Sequence, residues 1–443
     1  MRPDGQEGAL YRDILLEALL HDDTDGDISN GTPNDTAIIF SFGIHGITLL
    51  ANVAVDHVDM PRVNDSETVT IEAELDVDFP VYLGDFTMYY RTDDVSPWTT
   101  MPMTHISGDD YEADIPAMPE GTILRYYFDV TDIYGQKALV KPKQADLASP
   151  NLPYYTLVGY TEVRKEDFDN EFGDWIIDPF NDDDATTGIW EFDQPAGTVD
   201  GNIPVQTSQD HTTEGANLNI CAFTGNGGGG TIGENDVDDG KTTLMSPAFD
   251  ARQMGDPVFT YWRWYMNDPP GGANPANDYW HVYISNDQTT WHRVERTNVS
   301  DNSWRRNVVR IEDYVNPTDD VRLLFVASDS LFPGSGLEFD GGSIVEAAVD
   351  DMYLWDLGDP VDPPDGIEEL TAGFSINVFP NPSNGDFAIN FSENGLSDVA
   401  IEIMTLAGQV VFNEEMDRLR ETTFKVSGLT LASGNYLVKV QTE

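Results

Sequence analysis

The histidines, the side chains best suited to acid–base or metal chemistry, are few and scattered: His21, His45, His57, His105, His211, His281 and His292. A zinc peptidase needs His-Glu-x-x-His, which sets two imidazoles one helical turn apart on one face, and no pair has that spacing. There is no Gly-x-Ser-x-Gly elbow to carry a nucleophile and no Gly-x-x-x-x-Gly-Lys-Ser/Thr loop to cradle phosphate. The run Gly227-Gly228-Gly229-Gly230 sits among acidic residues and reads as a loop. Carboxylates are so abundant that closeness in sequence singles out no glycosidase pair. The chain itself is therefore expected to be non-catalytic.

Carboxylates can, however, hold a hard cation, and calcium takes oxygen ligands. Asp23, Asp25 and Asp27 alternate as at the start of a calcium loop, but Ile28 stands where an EF-hand has Gly and Asn34 where it has Glu. The alternative is a solvated turn that caps the next helix. Three further groups are Asp167 with Asp169, the run Asp182-Asp183-Asp184 with Asp183 and Asp184 as its candidate ligands, and Asp350 with Asp351. The last pair adjoins the final strand of a β unit, where the first and last strands of a jelly roll lie close. Converging carboxylates repel unless a cation neutralises them, so a structural calcium is expected at such a place.

The aromatic residues Trp262, Trp264 and Tyr265 share one strand, with Trp280, Trp291 and Trp304 nearby. They could form a sugar-stacking platform. Because Trp262 and Trp264 point to one face, a sandwich core is the preferred reading.

The elements that would position these groups are mostly strands. Residues 1–50 are the helical part: Leu10, Ile14, Leu15, Ala18 and Leu19 recur at helical spacing, and a second helix starts near Asn34 or Asp35 with Ile38, Ile39 and Phe42 as its stripe. Two such helices cannot cover their apolar surface alone and need a partner domain, which suggests a missing upstream part. Residues 61–160 alternate with period two (Val69, Ile71, Ala73, Leu75, Val77, Phe79), the pattern and size of an immunoglobulin- or fibronectin-like sandwich. Residues 161–357 form a larger β unit that fits one jelly roll. Residues 358–372, rich in Pro and Asp, read as an extended linker. Residues 373–443 make a last small sandwich, with Phe387, Ile389 and Phe391, then Val399, Ile401 and Ile403, on its apolar face. The fold class is thus mainly β: tandem sandwiches behind a short helical segment.

The chain has 443 residues, 79 acidic and 23 basic, for a net charge of −56, which disfavours nucleic acid and anionic membranes as partners. One cysteine, Cys221, excludes an intrachain disulfide. No stretch is long and apolar enough to span a membrane. Met1–Glu7 leads into an amphipathic helix rather than an apolar export signal, so the chain is expected to be part of a longer protein.

Three resemblances follow. The segment Ile376-Asn377-Val378-Phe379-Pro380-Asn381-Pro382-Ser383-Asn384-Gly385, the hairpin Ile401–Val411 and the strand around Gly434-Asn435-Tyr436 resemble the type A C-terminal sorting domain of type IX secretion in Bacteroidetes, over residues 374–443. That resemblance implies an extracellular or outer-membrane cell-surface location and the type IX machinery as partner. The chain departs from the family pattern by stopping at Gln441-Thr442-Glu443, without a final basic strand. Asp183–Glu191, Asn235–Leu244 and Ile344–Asp351 resemble a β module recurrent in secreted bacterial proteins, with no catalysis implied. Asp25-Gly26-Asp27-Ile28-Ser29-Asn30-Gly31-Thr32-Pro33 and His45-Gly46-Ile47, with Leu16 and Phe40, resemble the tail of a secreted metallopeptidase-like domain, which implies a zinc-binding part upstream. The expected function is that of accessory or adhesion modules with an export signal, meeting extracellular protein or polysaccharide. The alternatives are a fragment of a secreted zinc metallopeptidase and a carbohydrate-binding module.

Overall fold

The structure, a computed structural model, describes residues 7–147, 151–168, 172–212, 219–226, 232–272, 274–329 and 343–357, and then 376–379, 385, 387–391, 396–405, 410–419, 422–429 and 436–441. Asp169, the glycine run 227–230, the 358–372 linker and the Pro380–Asn384 signature lie outside the described residues. The chain forms two compact units, Met1–Pro360 and Val361–Glu443.

In the first unit, helices Glu7–Asp22 and Asp35–Gly43 lead the chain. Asn34 stands at the N-cap of the second helix, although its side chain accepts nothing from the helix and its amide donates to Asp22. The buried stripe of the first helix is Arg12, Leu15 and Leu19, while Ile14 faces solvent. Arg12 takes the core position because its guanidinium lies 3.5 Å from the Phe79 ring centroid, a cation–π contact, and its Nε donates to the Leu49 carbonyl. Leu15, Leu19, Ile28 and Ile39 pack with Tyr82, Ile133 and Tyr134. The sandwich that follows therefore covers part of the apolar surface of these helices.

That first sandwich pairs a sheet ordered Val53–Asp56, Val69–Val77, Asp110–Ile115, Thr104–Ser107 with one ordered Arg62–Val63, Tyr154–Val158, Ile123–Asp132, Leu83–Arg91, Thr99–Pro102. The period-two residues Val69, Ile71, Ala73 and Leu75 face Met88, Tyr126, Phe128 and Val130 in its core.

The second sandwich begins at once. One sheet runs Trp190–Asp193, Cys221–Thr224, Glu346–Leu357, Val258–Met266, Arg305–Arg310, with Tyr160–Glu166 also paired to Glu346–Leu357. The facing sheet runs Ile176–Ile177, Gly240–Met245, Arg322–Asp329, Trp280–Ser285, His292–Thr297. Phe259, Tyr261 and Tyr265 point into its core against Trp280, Val282 and Phe325. The alternate residues Thr260, Trp262 and Trp264 therefore lie on the outer face. This corrects the core placement expected for Trp262 and Trp264: the strand is apolar on both faces, and period alone does not say which face is inside. Within the core, the fully buried Arg263 meets Glu295 at 2.7 Å, and Glu295 also accepts from Tyr261, Trp280 and Asn307.

The second unit pairs Ile376–Phe379, Phe387–Phe391 and Thr423–Val426 in one sheet and Val410–Leu419, Leu396–Thr405 and Tyr436–Gln441 in another. Phe387, Ile389, Phe391, Val399, Ile401 and Ile403 form its core, as the alternation predicts. Gly385 has φ +99°, and a Cβ there would collide with the Leu429 carbonyl oxygen, so only glycine fits.

Candidate functional site: a cleft between the first two sandwiches

The outer face of the sheet that carries Val258–Met266 is covered at both ends. At one end Ile123, Tyr155 and Leu157 of the first sandwich pack on Val258 and Trp355. At the other end the 203–212 segment crosses the sheet, with the Trp264 Nε1 donating to the Val205 carbonyl at 2.8 Å and the Trp304 Nε1 to the Gln209 carbonyl at 3.3 Å. Between these covers lies a cleft of about 730 Å³, with Thr260, Trp262, Tyr353 and Trp355 on its floor. One wall is the Val55–Arg62 segment with Lys141 and Tyr154; the other holds His211 and Ser303–Arg306.

The floor is shaped by a bulge. Thr260 pairs with Tyr353 but Trp262 pairs with Asp350, and Asp351 has φ 44°. The bulge leaves the adjacent acids Asp350 and Asp351 to serve one loop. The Asp350 carboxylate accepts from the His211 and Thr212 amides at 2.8 and 3.4 Å. Asp351 lies 2.7 Å from His211 Nδ1 and accepts from the Thr212 hydroxyl at 3.1 Å. So tethered, the His211 ring stacks on Trp262 at 3.7 Å between centroids. Burial, with Asp351 beside it, holds the Asp350 carboxyl well above the usual carboxylate range.

Lys165 stands between Asp167 and Asp351, at 3.4 and 3.5 Å, and lies over the Tyr353 ring. Partial burial works against its charge, yet Asp351 raises its pKa above the ordinary lysine value. Arg306 joins the walls: it donates to the Pro61 and Tyr155 carbonyls and lies 3.7 Å from Asp59. His57, in the wall, has Nδ1 at 2.6 Å from the Glu72 carbonyl and Nε2 at 2.8 Å from the Tyr126 hydroxyl, inside a cage of Tyr126, Phe128 and Tyr154. Burial lowers its pKa.

The acidic groups read as candidate calcium ligands fall in different places. Asp351 and Asp167 lie on either side of the Lys165 ammonium, where the first and last strands of this sandwich pair, and Asp350 accepts from the His211 and Thr212 amides. Asp23, Asp25 and Asp27 accept from the amides of Gly26, Asp27 and Ser29 in their own loop. Asp183 accepts from the Thr243 amide and hydroxyl, and Asp184 from the Lys241 amide. Among the described residues, the carboxylates gathered closely enough to hold a metal are Asp178, Asp182 and Asp183, whose oxygens lie within 4.8 Å of one another. Asp178 gave no sequence signal, being separated from the Asp182–Asp184 run by a turn. The cleft residues His211, Lys165, Lys141 and Tyr353 were equally silent in sequence; the scarcity of bases in so acidic a chain is the clue that could have singled out the lysines.

Residues 377–443 match the family model described as the secretion system C-terminal sorting domain. The protein is secreted or held at the cell surface. Its sorting domain hands it to the type IX machinery, as the resemblance over 374–443 implies. No helix among the described residues is long and apolar enough to cross a membrane. No curated protein matches the chain. Solved structures with partial likeness include the CBM22-1–GH10 modules of Clostridium thermocellum endo-1,4-β-D-xylanase 10B complexed with xylohexaose, at 14% identity over 45% of this chain and 29% of that one, TM-score 0.23. A xylan-binding domain from CBM22 matches at 11% identity over 45% of this chain and 96% of that one, TM-score 0.23. A β-glucuronidase from Ruminococcus gnavus in complex with uronic isofagomine matches at 11% identity over 61% of this chain and 42% of that one, TM-score 0.16. The chain spans less than half of the xylanase modules and of the glucuronidase.

Proposed function

We propose that this chain is the non-catalytic binding region of an exported protein, and that the cleft between its first two sandwiches holds a saccharide. The observation that carries the reading is the uncovered strip of an otherwise covered sheet face, where Trp262, Trp304, Tyr353 and Tyr154 line a concave space beside fixed polar groups. Its volume of about 730 Å³ lies within the range of about 300–1,000 Å³ typical of ligand sites, and aromatic walls with a few oriented polar groups are their usual lining. A sugar ring offers both an apolar face for such rings and hydroxyls for the polar groups.

The Asp351–His211 pair belongs to this reading as a positioning device. It fixes the loop that forms one wall, and stacking leaves one face of Trp262 covered. The test is retention of the full chain on a panel of immobilised polysaccharides, with Tyr353→Ala and Trp304→Ala as variants. Retention on at least one polymer is expected, weakened about tenfold or more by either variant while the melting temperature of Tyr353→Ala stays near that of the parent. Retention on none, or retention indifferent to both variants, overturns the proposal.

A further inference from the structure

The charge of the cleft lining differs from that of the rest of the chain. Five of its 23 lining residues are Lys or Arg: Arg62, Lys141, Lys165, Arg305 and Arg306. The whole chain has only 23 such residues in 443. Bases are therefore about four times as dense in the cleft (5/23 against 23/443), while acids are not depleted or enriched: 4 of 23 there against 79 of 443 overall. A random strip of this surface would be strongly negative.

Two of the four acids of the lining, Asp351 and Asp59, are met by cations. Asp351 faces Lys165 and His211, and Asp59 faces Arg306. Arg305 pairs with Asp301, outside the lining, at 3.0 Å. Arg62 and Lys141, on the exposed wall, make no ion pair among the described residues; the Arg62 guanidinium donates only to the Tyr160 carbonyl, at 3.3 Å. Two cations thus stand at the cleft with charge to offer.

We propose that the cleft prefers saccharides bearing isolated anionic groups, carboxylate or sulfate, over their neutral counterparts. This rests on the reading of the cleft as a saccharide site. Arg62 and Lys141 meet the anionic group while the rings of the floor meet the sugar. At physiological ionic strength the Debye length is about 8 Å, so a ligand seated in the cleft feels the lining more than the remote carboxylates. The same acidic surface excludes nucleic acid, whose charges are spaced about 1.7 Å apart along a duplex and run past any single cleft. A glycan with at most one charge per sugar can place one group at the two cations and keep the others away.

The experiment pairs each acidic polymer with its neutralised form: polygalacturonate with its methyl ester, and a sulfated galactan with its desulfated form. The full chain and an Arg62→Gln/Lys141→Gln double variant are measured by affinity electrophoresis at low and at physiological salt, with circular dichroism to confirm that both are folded. The acidic member of at least one pair is expected to retard the parent chain tenfold more than its neutral partner, and the double variant should lose that difference. Which pair responds tells carboxylate from sulfate. Equal or stronger retardation by the neutral members overturns this inference and leaves the saccharide reading standing. Retardation by none removes both. Equal retardation by polyglutamate, an acidic peptide, overturns the saccharide class.

Discussion

Single residues decide more here than their number suggests. Arg263 is fully buried and its charge is met by Glu295, which also collects Tyr261, Trp280 and Asn307. Removing one partner of such a pair leaves the other charged in a medium that cannot solvate it. Glu295→Ala is accordingly expected to destabilise the first unit by about 3–5 kcal/mol, read as a shift in the denaturation midpoint. A loss within surface-substitution range would show that Arg263 reaches water. Asp236 gives a second prediction. Burial, with the Asp238 carboxylate nearby, pushes it up to about 7 from an ordinary value of 3.8. The unfolded chain releases this proton first, so the stabilising contribution is full below about pH 4 and is lost as pH rises through about 7. Asp236→Asn keeps the neutral form throughout, and its melting temperature is expected to fall less than that of the parent across that window. Parallel curves for the two proteins would contradict this.

At the scale of elements, the Val55–Arg62 wall of the cleft is held by the half-buried His57, which bonds to the Glu72 carbonyl and the Tyr126 hydroxyl. Because burial lowers the pKa of His57, its contribution to stability is present above about pH 6.5 and lost as pH falls through the lowered value. Asp56 and Asp59 oppose that shift without reversing it. Saccharide retention is therefore expected to weaken as pH falls below the ordinary histidine range, and His57→Phe, which fills the same aromatic cage without a proton to gain, should remove that dependence. An identical pH profile in the variant would place the effect elsewhere. Strands were the most legible elements in the sequence. Val69, Ile71, Ala73 and Leu75 face one core because one side of their sheet meets solvent, so alternation is informative there. The Val258–Met266 strand is apolar on both faces, and its alternation hid which face held Trp262. The cleft itself left almost no trace: its lining draws on residues from Val55 to Trp355, brought together by a bulge at Asp351 and a loop that carries His211. Neither has a sequence signature. The helical stripe was legible in period but not in phase, because an arginine over Phe79 took a place that hydrophobicity alone would give to Ile14.

For the molecule as a whole, binding and export are assigned to different units. Every lining residue of the cleft belongs to Met1–Pro360, and the sorting domain belongs to Val361–Glu443. A chain cut after Pro360 is expected to keep the parent's affinity for its polymer, within a factor of about two, while failing to reach the medium or the cell surface in a type IX-competent host. Loss of binding by the shortened chain would join the two functions. Gly385→Ala is expected to affect only export, since a Cβ there collides with the Leu429 carbonyl in the second unit.

The Glu346–Leu357 strand has a mechanical consequence. It carries Asp351 and Tyr353 of the cleft floor, and it is the last described strand before the sorting unit. Any pull between the cleft floor and the sorting unit therefore travels along this one ribbon. Its flanks are hydrogen-bonded to Tyr160–Glu166, Cys221–Thr224 and Val258–Met266, so neighbours on both sides share the load in shear. A strand paired on both sides resists being peeled from its sheet by such a pull.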